Sequence, residues 1–411
     1  MNFPLFVARR YFLSKRRKNF INVIALLSMT GVAFATAALV VVLSVFNGIG
    51  GLLRSLYSAF DPPLKAVVVK GKSFEFSDSL RRKIYQVEGV AVVTEVIEDY
   101  VYVRNRIQDN EADMVLTLKG VSANFADQHR LDDYMVAGEF TLSRGDVPCA
   151  VVGAGVRNTL SVSLEDPVRP LQVYYVKNPG GSMADPSSMY ASRQLLPAGV
   201  FAIEKNFDEN YIIAPLEVAE ELFGYAGRRT SLEIKTADGY TAVDVRPRLA
   251  ALLGPSFQVL TNDEQHRDLY RLLRLEKVFT FFALSLLVVV ASINIFFALM
   301  MLVIDKRKDM GILRALGADQ GMVSRIFITE AFLVSGYGTL GGLIFGLLLC
   351  VLQQSLGLVG MGMENAVVSS YPVEMQPLDF LLVVGFNLAT TLMICWAPAR
   401  LAARQSASVV L

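Results

Sequence analysis

Histidine, cysteine and tryptophan are all rare in this sequence. Its 411 residues include two histidines, three cysteines and one tryptophan. Two histidines argue against a histidine-rich metal site, and three cysteines do not make a disulfide framework. Charge is scarce too, at 19% of residues against an average of about 25%. With 53% hydrophobic residues, this composition excludes intrinsic disorder and argues against an ordinary soluble protein.

Neither sign of charge dominates, and the common catalytic motifs are absent. Lys and Arg number 39 against 38 Asp and Glu, which does not indicate the basic face that a nucleic-acid binder needs. The sequence has no G-x-x-x-x-G-K-S/T, G-x-S-x-G or H-E-x-x-H motif. We therefore expect a protein that is not an enzyme, does not bind ATP through a P-loop, and holds no metal or cofactor of its own.

Long apolar runs are what the sequence has in abundance. Each of four runs is longer than the roughly 20 residues that span a hydrocarbon core, and soluble core helices rarely extend so far without a polar face. The first run is also longer than the apolar region of a cleaved signal peptide, so we interpret it as a retained anchor. The four predicted membrane helices cover residues 23–48, 277–304, 322–352 and 378–399.

Basic residues predict the orientation of these helices. Six precede the first helix, four lie between the second and third, and none lies between the third and fourth. The positive-inside rule therefore places 1–22, with a short interfacial helix, in the cytoplasm together with 305–321 and the tail 400–411. The same rule places 49–276 and the short loop 353–377 outside.

The outer segment is predicted to fold as a large α+β domain. Stretches rich in β-branched residues alternate with helical stretches, and we divide them into two lobes. One lobe comprises 64–125 with 210–262, and the other comprises 126–209. Helical spacing over 264–277 predicts a stalk that begins near Asp263 and runs unbroken through the second span as a rigid lever.

One stretch of the outer domain, Asn178–Pro197, is rich in glycine, proline and serine. It is either a long solvated loop or, because long loops in compact domains are often functional, a protruding hairpin between flanking strands.

The segment Asp305 to Asp319, DKRKDMGILRALGAD, predicts a short amphipathic helix. Met310, Leu313 and Leu316, with Ile312, are its apolar residues, and Gly317 is placed to end the helix. Such a helix either lies in the lipid interface or docks in a groove of a partner protein.

The third span carries two further features. Gly338, Gly342 and Gly346 form a stripe of small residues that favours close helix packing, within the chain or between chains. Glu330 is an intramembrane carboxylate and so a functional candidate by default; alternatively it reaches the interface or pairs with Arg325 or Arg314. A single carboxylate is too little for a proton relay.

Several motifs resemble those of the lipoprotein-releasing ABC transporter permeases (LolC/LolE type). The segments 19–31 and 38–48, the latter ALVVVLSVFNG, are similar to the first helix of that family, although a methionine is usual where Phe46 stands. Residues 305–318 resemble its coupling helix, and Pro398-Ala399-Arg400 its closing segment. The resemblance covers nearly the whole chain, and the wider FtsX-like and MacB-like permease superfamily shares the coupling motif.

This resemblance implies a permease subunit of the bacterial inner membrane. Its partners would be a cytoplasmic ABC ATPase dimer that binds ATP and Mg²⁺, and a second permease, either a paralogue or a second copy. Its cargo would be acylated lipoproteins, extracted from the outer leaflet amid membrane lipid and passed to a periplasmic lipoprotein chaperone for outer-membrane sorting.

The resemblance also implies roles for particular residues. Cargo would contact the outer end of the first helix, although ordinary lipid-facing packing is the alternative there; the residues concerned are Val40, Leu43, Phe46 and Asn47. The ATPase would contact the coupling helix through Arg307, Asp309, Met310, Ile312, Leu313, Arg314, Leu316 and Gly317. A chaperone hook would include Asn178, Gly181, Met183, Pro186, Met189, Tyr190 and Pro197.

Two other functions stay open. One is transmembrane mechanotransmission of the FtsX-like kind, in which the permease moves no cargo and activates a periplasmic partner such as a cell-wall hydrolase. The other is MacB-like efflux, although permeases of that kind usually carry a fused ATPase.

Overall fold

A computed structural model describes residues 3–12, 20–107, 110–164, 169–177, 190–361 and 370–405. These residues form two compact units. We call Leu53–Tyr270 the inserted domain, and the described residues up to Leu52 and from Arg271 onward the membrane unit. Both boundaries fall inside long helices.

The described chain contains helices and strands in nearly equal number. The helices are α1 (Phe3–Phe12), α2 (Phe20–Phe60), α3 (Asp78–Tyr85), α4 (Ala154–Leu160), α5 (Lys205–Asn210), α6 (Leu216–Phe223), α7 (Ala242–Leu253), α8 (Asn262–Gln265), α9 (Arg267–Asp305), α10 (Arg307–Ala315), α11 (Gln320–Leu356) and α12 (Pro377–Gln405). The strands are β1 (Leu64–Val68), β2 (Phe74–Glu75), β3 (Val90–Ile107), β4 (Asn110–Val121), β5 (Met135–Gly138), β6 (Ser143–Arg144), β7 (Val147–Gly153), β8 (Leu171–Val176), β9 (Tyr190–Phe201), β10 (Tyr211–Pro215), β11 (Arg228–Arg229), β12 (Ser231–Thr236) and β13 (Phe257–Thr261).

Among the described residues, four helices are long and apolar enough to cross a membrane: α2, α9, α11 and α12. Together with the α/β inserted domain they confirm the predicted fold class. α2 extends beyond the predicted residues 23–48 and ends at Phe60, because Asp61 precedes two prolines that cannot continue a helix.

The predicted stalk differs from the structure at its start. Instead of one unbroken helix from Asp263, the short helix α8 is followed by a break at His266, and α9 begins at Arg267. Thr261 and Glu264 form a capping box that starts α8 as a separate turn. The His266 ring then bonds the Asp61 carboxylate, Nε2 to Oδ2, at 2.6 Å, which holds this break in place.

The inserted domain is built on one sheet of 11 strands. Its main path is β13-β1-β12-β3-β4-β10-β7-β9-β5, with β8 bridging β3 and β9, and β6 on β7. The sheet joins both predicted lobes. β10 pairs in parallel with β4 and antiparallel with β7, so these strands belong together.

The predicted lobe boundaries are therefore wrong in the structure. One hydrophobic core packs α3 and α7 against β1, β12, β13 and the first part of β3. The other packs α4 and α6 against the rest of β3 and strands β4, β7, β8, β9 and β10. Consequently 110–121 and 211–223 lie with the second core, because strand pairing and not position along the chain determines which side chains share a core.

Candidate functional site

The first membrane helix contributes its middle to the interior of the membrane unit. Val40 and Leu43 are each only 2% exposed and lie in a core with Val288 of α9, Cys350 of α11 and Val383 of α12. The lipid-facing alternative is thus wrong for these two side chains, because three neighbouring helices cover them. Their contact with cargo stays a prediction that requires these helices to separate.

The glycine stripe of α11 packs on the same helix. A Cβ at Gly342 would lie 2.3 Å from the Ala33 carbonyl oxygen, and one at Gly346 would lie 3.2 Å from Val40 Cβ. At Gly338 it would lie 2.8 Å from the Met29 carbonyl oxygen. The stripe therefore allows the backbones of α2 and α11 to approach closely within one chain.

Three polar side chains join helices α2, α9 and α12 in a cluster that we call the polar triad. The Lys277 ammonium donates to Asn47 Oδ1 at 2.7 Å and to the two Asp379 carboxylate oxygens at 3.1 and 3.0 Å. Asn47 Nδ2 donates to Asp379 Oδ2 at 2.7 Å. Asn47 and Asp379 are both buried, so their hydrogen bond forms in a low-dielectric setting, where an unpaired polar group would be costly.

Sequence reasoning identified Asn47 but missed its two partners. Within the predicted spans 277–304 and 378–399, Lys277 and Asp379 are the only charged residues, and each lies at or next to the start of its span. That position is a usable signal, because a charge at the edge of an apolar run must either reach water or find a partner.

Beside the triad, Phe46 lines an open apolar cleft of about 620 Å³, which we call the Phe46 cleft. Its other wall is a stretch of α9 that includes Leu275, Phe279 and Phe282, and the Phe279 side chain is 77% exposed. One acid, Glu276, also lines it. Of the four predicted cargo residues, Phe46 alone lines this cleft. The cleft suits an apolar chain better than a polar solute.

At the other end of the membrane unit, α10 presents apolar side chains outward. Met310 is buried against Leu302, Phe327 and Ala399, which anchors the helix to the unit. Ile312 and Leu316 are 61% and 79% exposed. Leu313 and Arg314 are half-buried, and Arg307 and Asp309 are exposed.

Gly317 ends this helix as predicted. Its φ of +98° is a left-handed conformation that favours glycine, and Ala318 N donates to the Leu313 carbonyl oxygen at 3.0 Å. Asp319 then caps α11 by accepting from Met322 N at 2.9 Å.

In the inserted domain, the predicted hairpin is present as strands β8 and β9. They pair antiparallel up to Val176 opposite Tyr190. Tyr190 and Pro197 therefore lie in a strand and not in the predicted loop; Pro197 is tolerated beside a register shift against β7. The other predicted hook residues, Asn178, Gly181, Met183, Pro186 and Met189, lie outside the described residues.

Beside this hairpin the sheet carries an exposed aromatic surface, which we call the tyrosine face. Tyr102 stands opposite Tyr174 on the neighbouring strand, and the Tyr174 and Tyr190 rings are 5.8 Å apart. Tyr100, at 71% exposure, and Val115 extend the same side. Sequence reasoning missed this face, because it arises only when β3, β4, β8 and β9 are paired.

The inserted domain also buries a cluster of charges around the end of α2, which we call the charge cluster. The Lys119 ammonium lies 2.6 Å from Glu233, and both side chains are fully buried. It also lies 4.2 Å from the centre of the Phe60 ring. Arg130 pairs with Glu233 and donates to the Phe60 carbonyl oxygen at 3.1 Å.

The pKa of Glu233 reflects this setting. Burial would raise it, but Arg130, Lys119 and Lys65 outweigh burial and hold the pKa at about 2. The carboxylate is thus charged, and the cluster fixes the last turn of α2 to the sheet.

A membrane unit of four long helices interrupted by an inserted α/β domain defines a class of membrane permease. Residues 25–252 match the model of the MacB-like periplasmic core domain, and residues 281–407 match that of the FtsX-like permease C-terminal domain. The first match alone covers more than half of the chain. The chain belongs to this MacB-like and FtsX-like family of ABC transporter permeases, and membership implies an ATPase partner and a second permease.

Curated relatives match along the whole chain. The chain is 25% identical to the lipoprotein-releasing system transmembrane protein LolE of Haemophilus influenzae, over 100% of this chain and 99% of the relative. It is 24% identical to LolC, of the same system, from Neisseria meningitidis, over 97% of this chain and 96% of the relative.

A solved structure also shares similarity with half of the chain. The periplasmic region of MacB from Actinobacillus actinomycetemcomitans aligns with 50% of this chain and 92% of its own length, at 10% identity and a TM-score of 0.34.

Proposed function

We propose that this chain is a permease subunit that releases lipoproteins from the inner membrane. A separate ATPase would supply the energy, and a periplasmic chaperone would receive the cargo. In this proposal α10 and both termini are cytoplasmic and the inserted domain is periplasmic. The distribution of basic residues supports that orientation.

The Phe46 cleft is the observation that carries the proposal. An acyl chain that leaves a bilayer loses about 0.8 kcal/mol for each methylene exposed to water, so extraction needs an alternative apolar surface. The cleft offers one, with Phe279 and Phe282 exposed along α9 and Phe46 on α2. The whole-length similarity to proteins named for lipoprotein release supports the same cargo.

The polar triad gives the cleft a means of control. It links α2, α9 and α12 next to Phe46 through bonds that are strong in a low-dielectric setting. Separation of these helices would break the bonds and uncover Val40 and Leu43, which are buried while the triad is formed. Cargo contact with all four predicted residues would then follow from one movement.

The coupling role of α10 rests on its exposed apolar side chains. Ile312 and Leu316 face away from the membrane unit while Met310 anchors the helix to it. A groove on the ATPase would bury these two side chains and transmit its movement to the adjoining α9 and α11.

Handover to a chaperone rests on the hairpin and the tyrosine face. Aromatic side chains are enriched at protein-binding surfaces, and four tyrosines line one side of the sheet here. The last described pair of the hairpin β8–β9, Val176 with Tyr190, lies at the edge of this face.

A reconstituted release assay tests the proposal. The permease pair and its ATPase would be placed in liposomes with a triacylated lipoprotein, and ATP and purified chaperone would be added. We expect the lipoprotein in the soluble fraction, bound to chaperone, only with ATP. Hydrolysis of ATP with all lipoprotein retained in the liposomes would contradict the proposal, and activation of a cell-wall hydrolase under the same conditions would favour the mechanotransmission role.

A further inference from the structure

A second cavity, of about 260 Å³, lies in the membrane unit near α10. Side chains of α2, α9 and α11 form its wall, among them Met29, Leu299 and Val334. Two polar groups line it: Tyr11 of α1 and Glu330 of α11. It shares no lining residue with the Phe46 cleft.

Glu330 is buried there without a full set of partners. Glu330 is only 7% exposed, and its Oε2 atom has no hydrogen-bond partner among the described residues. Within the described chain it forms no ion pair with Arg314 or Arg325, the partners that the sequence suggested. Arg325 is exposed instead. A buried carboxyl oxygen with no donor carries an uncompensated desolvation penalty, so a ligand that supplies a donor would bind more tightly.

The charged side chains near the cavity indicate what kind of ligand it can bind. Lys306 is a basic side chain close to the cavity, because its ammonium lies 5.8 Å from the centre of the Tyr11 ring; it also lies 2.8 Å from Asp305. Lys306 thus leaves Glu330 Oε2 without a donor while placing a positive charge beside the cavity.

We infer that this cavity binds an amphiphile with a primary ammonium group, which donates to the Glu330 carboxylate while its apolar body packs against α2 and α9. An ammonium–carboxylate pair in a buried, mostly apolar site is a strong, charge-assisted hydrogen bond. Two sources share this chemistry: the headgroup of an aminophospholipid such as phosphatidylethanolamine, and a free long-chain amine. Lys306, close to the cavity, suits the phosphate of the first source. The inference does not depend on the identity of the cargo.

Lipid retention by the purified complex tests this inference. The full-length chain, isolated with its partner subunits, would be placed in nanodiscs of phosphatidylcholine and phosphatidylglycerol, with or without phosphatidylethanolamine. Native mass spectrometry would count retained aminolipid, and melting temperature would report binding. Glu330→Gln keeps the size of the side chain and removes its charge, so we expect at least a tenfold weaker retention, which corresponds to about 1.4 kcal/mol.

Controls separate binding from folding. Glu374→Gln alters an exposed carboxyl that lines neither cavity and should retain aminolipid like the wild type. Ala25→Phe fills the cavity from α2 and leaves Glu330 in place, so it should also lose the lipid even if Glu330→Gln does not fold. Stabilisation of the wild type by dodecylamine but not by phosphatidylethanolamine would identify the free amine as the source. Equal retention by wild type, Glu330→Gln and Ala25→Phe, or no effect of either amine on the wild type, would overturn the inference.

Discussion

Glu233 shows how strongly a single buried charge affects the stability of the inserted domain. Its carboxylate has no contact with solvent and depends on Lys119 and Arg130 for compensation. Its pKa of about 2 in the folded chain lies below the ordinary value of 4.5. Because the folded pKa is depressed, this group stabilises the fold fully above about pH 4.5, and the contribution is lost as the pH falls toward 2.

Replacing Glu233 with Gln should therefore destabilise the protein at pH 7 by about 3–5 kcal/mol, because two buried cations lose their counter-charge. The difference from wild type should shrink between pH 4.5 and 2. Thermal unfolding of the full-length protein across this pH range measures both effects. Glu111→Gln breaks exposed pairs with Arg104 and Arg106 and should change stability far less than Glu233→Gln, because solvent screens these charges. Similar losses for the two variants would refute the role of burial.

Single residues were also where the sequence was least informative. Phe46 and Asn47 were identified through a family resemblance, but Lys277 and Asp379 were not, because their importance lies in a meeting of three helices. The burial of Lys119 likewise could not be predicted from the sequence. Nothing in its local sequence distinguishes a lysine over an aromatic ring from one in water.

At the scale of elements, the packing of α11 on α2 depends on one side of the glycine-rich segment. A Cβ added at Gly342 would lie 2.3 Å from the Ala33 carbonyl oxygen, whereas one added at its neighbour Gly341 would have nothing within 4 Å. Gly342→Ala must push backbone apart and should destabilise the membrane unit by about 1–3 kcal/mol. Gly341→Ala should be neutral or slightly stabilising, since alanine favours helix. Melting temperatures of the two variants in the same detergent make the comparison, and equal values would contradict this packing.

The exposed face of α10 makes a separate prediction about coupling. Leu316→Asp and Ile312→Asp change exposed side chains, so the chain should fold and reach the membrane normally. In the assembled transporter each would bury an unpaired carboxylate in the groove of the ATPase. We expect at least a tenfold loss of cargo release per ATP hydrolysed, measured in the liposome assay. Gln320→Asp, an exposed change at the start of α11, should have no effect. Normal release by the Leu316 variant would show that α10 does not dock there.

Elements were predictable from sequence where their signals are local. The α10 helix, its end at Gly317 and the end of α2 before two prolines all depend on a few adjacent residues. The order of strands did not follow from sequence. β10 pairs in parallel with β4 and antiparallel with β7, and the pairing with β7 places both β4 and β10 in a core with strands of the other predicted lobe.

At the scale of the whole molecule, the hairpin is the feature that a chaperone would need and the ATPase would not. Replacing residues 178–189 with a two-residue turn preserves the pairing of Val176 with Tyr190. We expect the amount of lipoprotein that leaves the liposomes bound to chaperone to fall at least tenfold, while ATP hydrolysis stays at its basal rate. A length-matched Gly-Ser replacement of the same residues distinguishes loss of sequence from loss of length. Unchanged handover by the shortened variant would make this stretch a plain loop.

The central claim, that the Phe46 cleft holds acylated cargo, is tested most directly by photocrosslinking. A photoreactive residue at Phe46 would be compared with one at Phe345, which is 51% exposed on α11 and does not line the cleft. In native membranes, Phe46 should capture acylated proteins and release them when ATP is added, whereas Phe345 should capture lipid alone. A Phe46 sample without crosslinked acylated protein, from well-folded transporter, would contradict the claim, as would equal capture at both positions.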